Sequence, residues 1–321
     1  MWGNRLKSSR RVSVAPVPIL PRDAKVFAIG SCFAVEIRKA LRNAGYDVYP
    51  KYRDIAFDPD TQQPGSLPQR DNVNHYDTFT IRQEIERALA RTHWSEDTLW
   101  ELQDRPLAAR LHSARVYQDP LRRHFYAASK EQLRALRHNT DNCIDEGLVA
   151  ADVVIITLGL TECWQDKRTK LYVCLGPDSE QDEKFQRLRF RASTFADNFE
   201  NIKTTVAAIR SVYSAKKIVI TVSPVRLQRT WTTEDIVVAN TMSKATLRAA
   251  AGELCRSDPS VLYWPSFELS TLSNVWKSDA AHIRDNVVGH IVASFLRATA
   301  QPEQATPTHF LRREDTADGA I

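Results

Sequence analysis

The stretch that most constrains this chain is ADVVIITLG, residues 151–159. Its centre is continuously apolar and β-branched, with none of the alternation of a half-exposed strand. A strand made of it needs both faces covered, which places it inside a parallel sheet between two helical layers. AKVFAIG at 24–30 and KIVITVS at 217–223 have the same character. Shorter strands are predicted at 46–49 and 262–264, and a hairpin at 163–175. Between these runs the apolar residues fall at helical spacing: Phe33, Ile37, Ala40, Leu41 and Ala44; then Ile81, Ile85, Ala88 and Leu89; then Phe195, Phe199, Ile202, Val206 and Ile209. Residues 129–148 and 234–255 also read as helices, and Val287, Val288, Ile291 and Phe295 mark a closing one. The second helix is predicted to start near Thr80, where Thr80 and Gln83 have capping-box spacing. Strands alternating with helices predict an α/β fold with three layers, α/β/α, around a central parallel sheet.

The chain has 321 residues, 43% of them hydrophobic, enough for a full core. The predicted domain covers residues 23–298, with an insertion around 92–126 where periodicity fails. Residues 1–22 read as a flexible N-terminal segment, and the polar stretch 299–321 as a disordered tail. The net charge of +5 is spread along the chain. Its densest basic clusters, Arg10-Arg11 and Arg122-Arg123, are short and read as solvated surface, so no nucleic-acid partner is expected. No apolar run approaches the roughly 18 residues of a membrane span, and the N-terminus lacks the apolar core of a secretory signal. Cys32, Cys143, Cys163, Cys174 and Cys255 are odd in number, widely spaced and without a CxxC pair. That argues against a disulfide framework or a metal cluster, and for a reducing cytoplasm. Phosphate-loop, dinucleotide and zinc-protease motifs are absent, so no cofactor or metal is expected.

In a parallel sheet the site lies beyond the carboxyl ends of the strands. Gly30-Ser31-Cys32, residues 159–162, Ser223-Pro224 and residues 265–268 all sit at such ends. At the first, Gly30 permits a sharp turn, and the next residues lie at a helix N-terminus. The free N–H groups and dipole there favour negative charge, lower a thiol's pKa and can hold an oxyanion. A Ser or Cys in this place is either a cap or core residue, or a nucleophile. Among eight histidines, His282 follows Asp279 by three residues, spacing at which a carboxylate can orient the imidazole and stabilise its cation. His290 lies two turns further on, toward the core. His75, His93, His112, His124 and His138 fall in the loop-rich middle and read mostly as surface. Ser223 and Ser266 read as strand-end turns. Trp164, Trp231 and Trp264 either stack on a sugar ring or pack at the rim.

GSCFA at 30–34 resembles the signature of the GSCFA family, which is grouped with the SGNH or GDSL-like hydrolases. The segments NHYDTFTIRQE (74–84), TLGLTECW (157–164), ITVSPVRL (220–227), ANTMSKATLR (239–248) and YWPSFE (263–268) resemble further blocks of that family. Asp279 and His282 stand where the superfamily keeps its DxxH, and the resemblance covers residues 24–298. It implies a flavodoxin-like fold of the SGNH hydrolase type. It also implies an esterase or acyltransferase acting through an acyl-enzyme on an acylated small molecule or glycan. Aligning Gly30 with the glycine of a GDSL motif puts Cys32 in the nucleophile's place, with Ser31 as cap, oxyanion donor or alternative nucleophile. Where the superfamily has GxND this chain has Gly159-Leu160-Thr161-Glu162, so the usual asparagine is missing. Thr161 and Asn74 are the candidate substitutes beside Gly159 as oxyanion or substrate-binding residues, and Glu162 is a candidate structural partner. The missing asparagine keeps open a second reading: a non-catalytic carbohydrate-binding or scaffold protein on the same fold.

Overall fold

A computed structural model describes residue 12, residues 14–271 and residues 284–300. The central sheet holds β1 (Lys25–Gly30), β2 (Asp47–Tyr49), β3 (Val153–Leu158), β4 (Lys217–Val222) and β5 (Val261–Trp264). All its pairings are parallel, and the order is β5-β4-β3-β1-β2. This is the flavodoxin-like order, which reverses between β1 and β3. All six residues of β3 are buried, as the continuous apolar run requires.

Alternate strand residues face opposite layers. Phe27, Ile29, Val154, Ile156, Ile218 and Ile220 share one core with α2 (Thr78–Ala90), α3 (Lys130–Ala150), α4 (Phe195–Val212) and α5 (Ile236–Ser257). Val26, Ala28, Val153, Ile155 and Val219 share the other with α1 (Cys32–Asn43) and α6 (Asp285–Thr299). Each fully buried Ile, Leu or Phe contributes roughly 1.5–3 kcal/mol. The result is the expected three-layer α/β/α arrangement.

Two small antiparallel sheets lie outside it. One, within residues 92–127, pairs Trp100–Leu102, Val116–Gln118 and Tyr126–Ala127. The other contains the predicted hairpin, Glu162–Asp166 with Tyr172–Val173, and adds Leu188–Ala192, a strand that the sequence did not suggest.

Four expectations are corrected. The second helix starts at Thr78, not near Thr80: Asp77 is its N-cap, accepting from the N–H groups of Phe79 at 3.0 Å and Thr80 at 2.9 Å. Gln83, freed from capping, exchanges two hydrogen bonds with the backbone of Tyr172. Arg122 is not solvated surface; its side chain is 0% exposed and pairs with Asp141 at 2.6 Å and Glu84 at 3.2 Å. A buried guanidinium is tolerated because two carboxylates from separate helices meet it. His75 is 2% exposed rather than on the surface. Finally, residues 17–20 fall in the segment expected to be flexible, yet Val17 donates to Ala298 O and both Ile19 and Leu20 donate to Thr299 O. A short apolar run between prolines has no periodicity from which such docking could be read. The expectations for residues 1–11 and 301–321 lie outside the described residues.

Candidate active site

β1 ends at Gly30, with a φ of 127°. A Cβ there would stand 2.1 Å from the Thr157 carbonyl oxygen and 2.6 Å from its hydroxyl, so the turn has room only for glycine. α1 begins at Cys32. Ser31 is its N-cap, and the Ser31 hydroxyl accepts from Phe33 N–H at 3.3 Å and lies 3.2 Å from Thr157 Oγ1. The Ser31 N–H donates to Thr157 O at 3.1 Å. Ser31 is 2% exposed and Cys32 half-buried.

Burial pushes the Cys32 thiol up to about 11. The Lys244 cation and the N–H groups of Cys32 and Phe33 pull it down, and the Glu36 carboxylate pushes it further up. The sequence led us to expect a thiol made acidic by the helix N-terminus. The direction is opposite, because desolvation outweighs the cation and the N–H groups together.

The rim segment after β3 meets this turn. A Cβ on Gly159 would lie 2.5 Å from Tyr76 O and 3.0 Å from Ser31 Cβ. The N–H groups of Gly159 and Leu160 both donate to Tyr76 O, at 3.2 and 2.9 Å. From the other side α5 contributes two consecutive residues. Ser243 Oγ accepts from Thr161 N–H at 3.0 Å, and Lys244 Nζ donates to Gly159 O at 2.6 Å. Residues 159–161 are thus clasped between Ser31 and Tyr76 on one side and Ser243 and Lys244 on the other. Burial lowers Lys244 to about 7, with Cys32 as the opposing influence. Sequence reasoning passed over Lys244. The available signal was its spacing, since Lys244, Leu247 and Ala251 lie on one buried face.

Asn74 donates through Nδ2 to Asn72 Oδ1 at 2.5 Å and to Tyr76 Oη at 3.2 Å, while its own Oδ1 is buried without a partner. Burial, and then the charge of Cys32, pushes the Tyr76 phenol up to about 12. Thr161 is buried. Glu162 accepts from Thr230 Oγ1 at 2.6 Å and from Trp231 N–H at 2.8 Å, a structural role.

The structure therefore brings Ser31, Cys32, Asn74 and residues 159–161 to one rim, together with Tyr76 and Lys244. Asp279 and His282 lie outside the described residues. His75 stands behind the turn: its N–H donates to Gly30 O at 2.8 Å, and its ring sits 3.8 Å from both Cys174 Sγ and Glu84 Oε2. Burial lowers it to about 4. Ser223 and Ser266 serve strand-end turns, accepting from Val225 N–H and Thr221 Oγ1. Trp164 packs among Phe185, Phe190 and Trp231, and Trp264 against Phe295. An open groove of about 510 Å³ runs along α5 past Arg248, Gly252 and Phe267, and none of the candidate site residues lines it. Among the described residues, no group of three His, Cys, Asp or Glu side chains could hold a metal, and no helix is long and apolar enough to cross a membrane.

The model of the GSCFA family matches residues 25–295. No curated protein matches the chain. Among solved structures, a Clostridium thermocellum family 3 carbohydrate esterase is similar at 12% identity and a TM-score of 0.34, over 86% of this chain and 94% of that one. A carbohydrate esterase family 3 protein from Talaromyces cellulolyticus shows 10% identity and a TM-score of 0.34, over 85% and 94%. A carbohydrate esterase family 2 enzyme with a carbohydrate-binding domain, from Corynascus thermopiles (Myceliophthora fergusii), shows 15% identity and a TM-score of 0.34, over 89% and 67%. Likeness at this level transfers neither a residue's role nor a substrate.

Proposed function

The chain belongs to the GSCFA family, and from that premise we propose that it is an ester-cleaving hydrolase or acyltransferase of the SGNH or GDSL-like type, with Cys32 as nucleophile. The observation that carries this reading is the division of labour in the turn. Ser31 is buried and engaged as the helix cap, whereas Cys32 is half-buried at the helix N-terminus.

In this reading the Cys32 sulfur attacks the acyl carbon, a C–S bond forms, and the ester C–O bond breaks. His282, oriented by Asp279, relays the protons: it takes the thiol proton and gives it to the leaving alkoxide, then takes one from the water that cleaves the thioester and returns it to the departing sulfur. Gly159, Thr161 and Asn74 surround the oxyanion. The substrate is an acylated small molecule or glycan. The catalytic unit is residues 23–298, with 92–126 as an insertion, and the five free cysteines fit a cytoplasmic location.

The test is hydrolysis of p-nitrophenyl acetate by purified protein. Turnover that disappears in folded Cys32→Ala supports the reading; turnover unchanged in that variant overturns it.

One observation favours the second reading, a binding or scaffold protein. The Gly159 N–H is engaged by Tyr76 O, and the Asn74 amide by Asn72 and Tyr76. Two of the three candidate oxyanion donors are thus occupied. Folded protein that binds acylated glycans but turns over no ester would decide for it.

A further inference from the structure

A row of hydrogen-bonded side chains runs from the insertion to the candidate site. His124, half-buried, lies between Gln63 and Asn72: its Nδ1 is 2.9 Å from Gln63 Oε1, and its Nε2 is 2.9 Å from Asn72 Nδ2. The Gln63 N–H also donates to His124 O at 3.1 Å, so backbone holds the two segments together. Asn72 Oδ1 accepts from Asn74 Nδ2 at 2.5 Å, and Asn74 Nδ2 also donates to Tyr76 Oη at 3.2 Å. Both N–H groups of the Asn74 amide are therefore used. Its Oδ1, buried without a partner, is the end left over.

Such a row has a direction. Each amide must meet its neighbour nitrogen to oxygen, and a neutral imidazole has one donor and one acceptor. Gln63 Oε1 takes the Nδ1–H, so Nε2 accepts from Asn72, and each later bond follows. The opposite direction would orphan both N–H groups of Asn74, which buried structure tolerates less well than an orphaned oxygen. An imidazolium cannot fit the observed direction, because both of its nitrogens donate. Its Nε2–H would meet the Asn72 N–H. The conflict is relieved when Asn72 turns its oxygen to the ring and Asn74 turns its oxygen to Asn72. Tyr76 then donates to Asn74 instead of accepting from it.

We infer that His124 is a positioning residue for Asn74: its charge state, passed through Asn72, decides whether the free end of the Asn74 amide is an oxygen or a nitrogen. Neutral His124 leaves the oxygen, an acceptor. Protonated His124 leaves the NH2 group, a donor of the kind an oxyanion needs. The catalytic use of that donor rests on the hydrolase reading, in which Asn74 lies beside the oxyanion. The engaged Asn74 nitrogen of the structure is then the neutral-ring arrangement. Burial, and then the Arg123 cation, hold His124 below its ordinary 6.5, so the reversal falls below that pH. Arg123 is the charged group acting on the ring, and Gln63 and Asn72 on either side of it are neutral. At the far end Cys32, Arg123 and Cys174 act on Tyr76.

The experiment is a pH titration of the ¹⁵N-labelled full chain by NMR, reading the His124 ring nitrogens and the Asn72 and Asn74 amides. At neutral pH the ring proton should sit on Nδ1, with Nε2 bare. Below pH 6.5 the Asn74 amide signals should move with the midpoint of the ring. Asn72→Asp breaks the relay at constant shape. Its carboxylate accepts from both Nε2–H and Asn74 Nδ2, so the ring still titrates and Asn74 no longer follows. An Asn74 signal that ignores the wild-type ring, or follows it equally in Asn72→Asp, overturns the assignment. Turnover of p-nitrophenyl acetate supplies the catalytic arm. The ratio of wild-type to Asn72→Asp turnover should rise as pH falls through the ring midpoint, toward the roughly 10²–10³-fold that one oxyanion donor contributes. A flat ratio overturns the catalytic use. Coupled amides without turnover at any pH sink the hydrolase reading and leave the relay standing.

Discussion

The Ser31 hydroxyl lies 3.2 Å from the Thr157 hydroxyl, at the ends of neighbouring strands β1 and β3. A side chain tied down in this way, and capping α1 as well, is a poor candidate for attack. A thiol- or serine-directed acyl probe should therefore label Cys32. Cys32→Ala abolishes labelling, while Ser31→Ala keeps it and loses about 1 kcal/mol of stability with the cap. Full labelling in both variants removes the turn from the mechanism.

Asp279 and His282 are tested by separating activity from stability. General acid–base work contributes roughly 10²–10⁴-fold in rate, so His282→Ala should lose that much turnover with a nearly unchanged Tm. Asp279→Asn should also lose turnover with the fold intact, because the imidazole is then free to take the wrong tautomer. Wild-type turnover in folded His282→Ala would falsify the pair. Both variants melting early, with turnover falling only in proportion to folded protein, would reduce it to a packing contact.

Gly30→Ala should be among the most damaging single substitutions. The added Cβ meets Thr157 backbone at 2.1 Å, on top of a positive φ. Overpacking and backbone strain each cost about 1–3 kcal/mol. Gly45→Ala is the control, since Gly45 has a φ of 90° but open space around it. It should lose about 1–2 kcal/mol, the strain alone. Equal losses in urea denaturation would show that the Thr157 contact is unimportant.

The buried His75 predicts acid lability. Its folded pKa, about 4, is below the ordinary value of 6.5, so the unfolded chain binds the proton first as pH falls. The associated stability is present above pH 6.5 and is lost on the way down to about 4, a change on the order of 3 kcal/mol. Glu84, lowered to about 2 by Arg122 and Arg87 against the cost of its burial, extends the loss to lower pH. His75→Gln should flatten the curve between pH 6.5 and 4. An unchanged slope in that window would show that the imidazole is not the group responsible.

The strands and the Gly30 turn were legible because their causes are local. β3 is buried on both faces, and its residue types say so without reference to the rest of the chain. Three features were not legible because their causes are remote. Lys244 looks like an ordinary helix lysine until Gly159, 85 positions away, offers its carbonyl. Arg122 looks solvated until Glu84 and Asp141 converge on it. The direction of the Cys32 shift is a balance between nearby N–H groups, which the sequence displays, and burial, which only the assembled layers create. Asp77 outcompeted Thr80 as cap for a smaller reason: either spacing fits a helix start, and the choice depends on which residue lies outside the first turn.

Because Cys32 and Lys244 come from opposite layers, the order of synthesis matters. A ribosome adding about 5–20 residues per second reaches Lys244 on the order of 10–40 s after Cys32. Until then the thiol is unshielded, with the ordinary acidity of a free cysteine, near 8.5. The nascent chain therefore carries a more ionised, more oxidisable sulfur than the finished protein, whose burial raises the same group to about 11. Closing the three layers quenches Cys32 toward casual electrophiles in the same event that brings Lys244 to the rim.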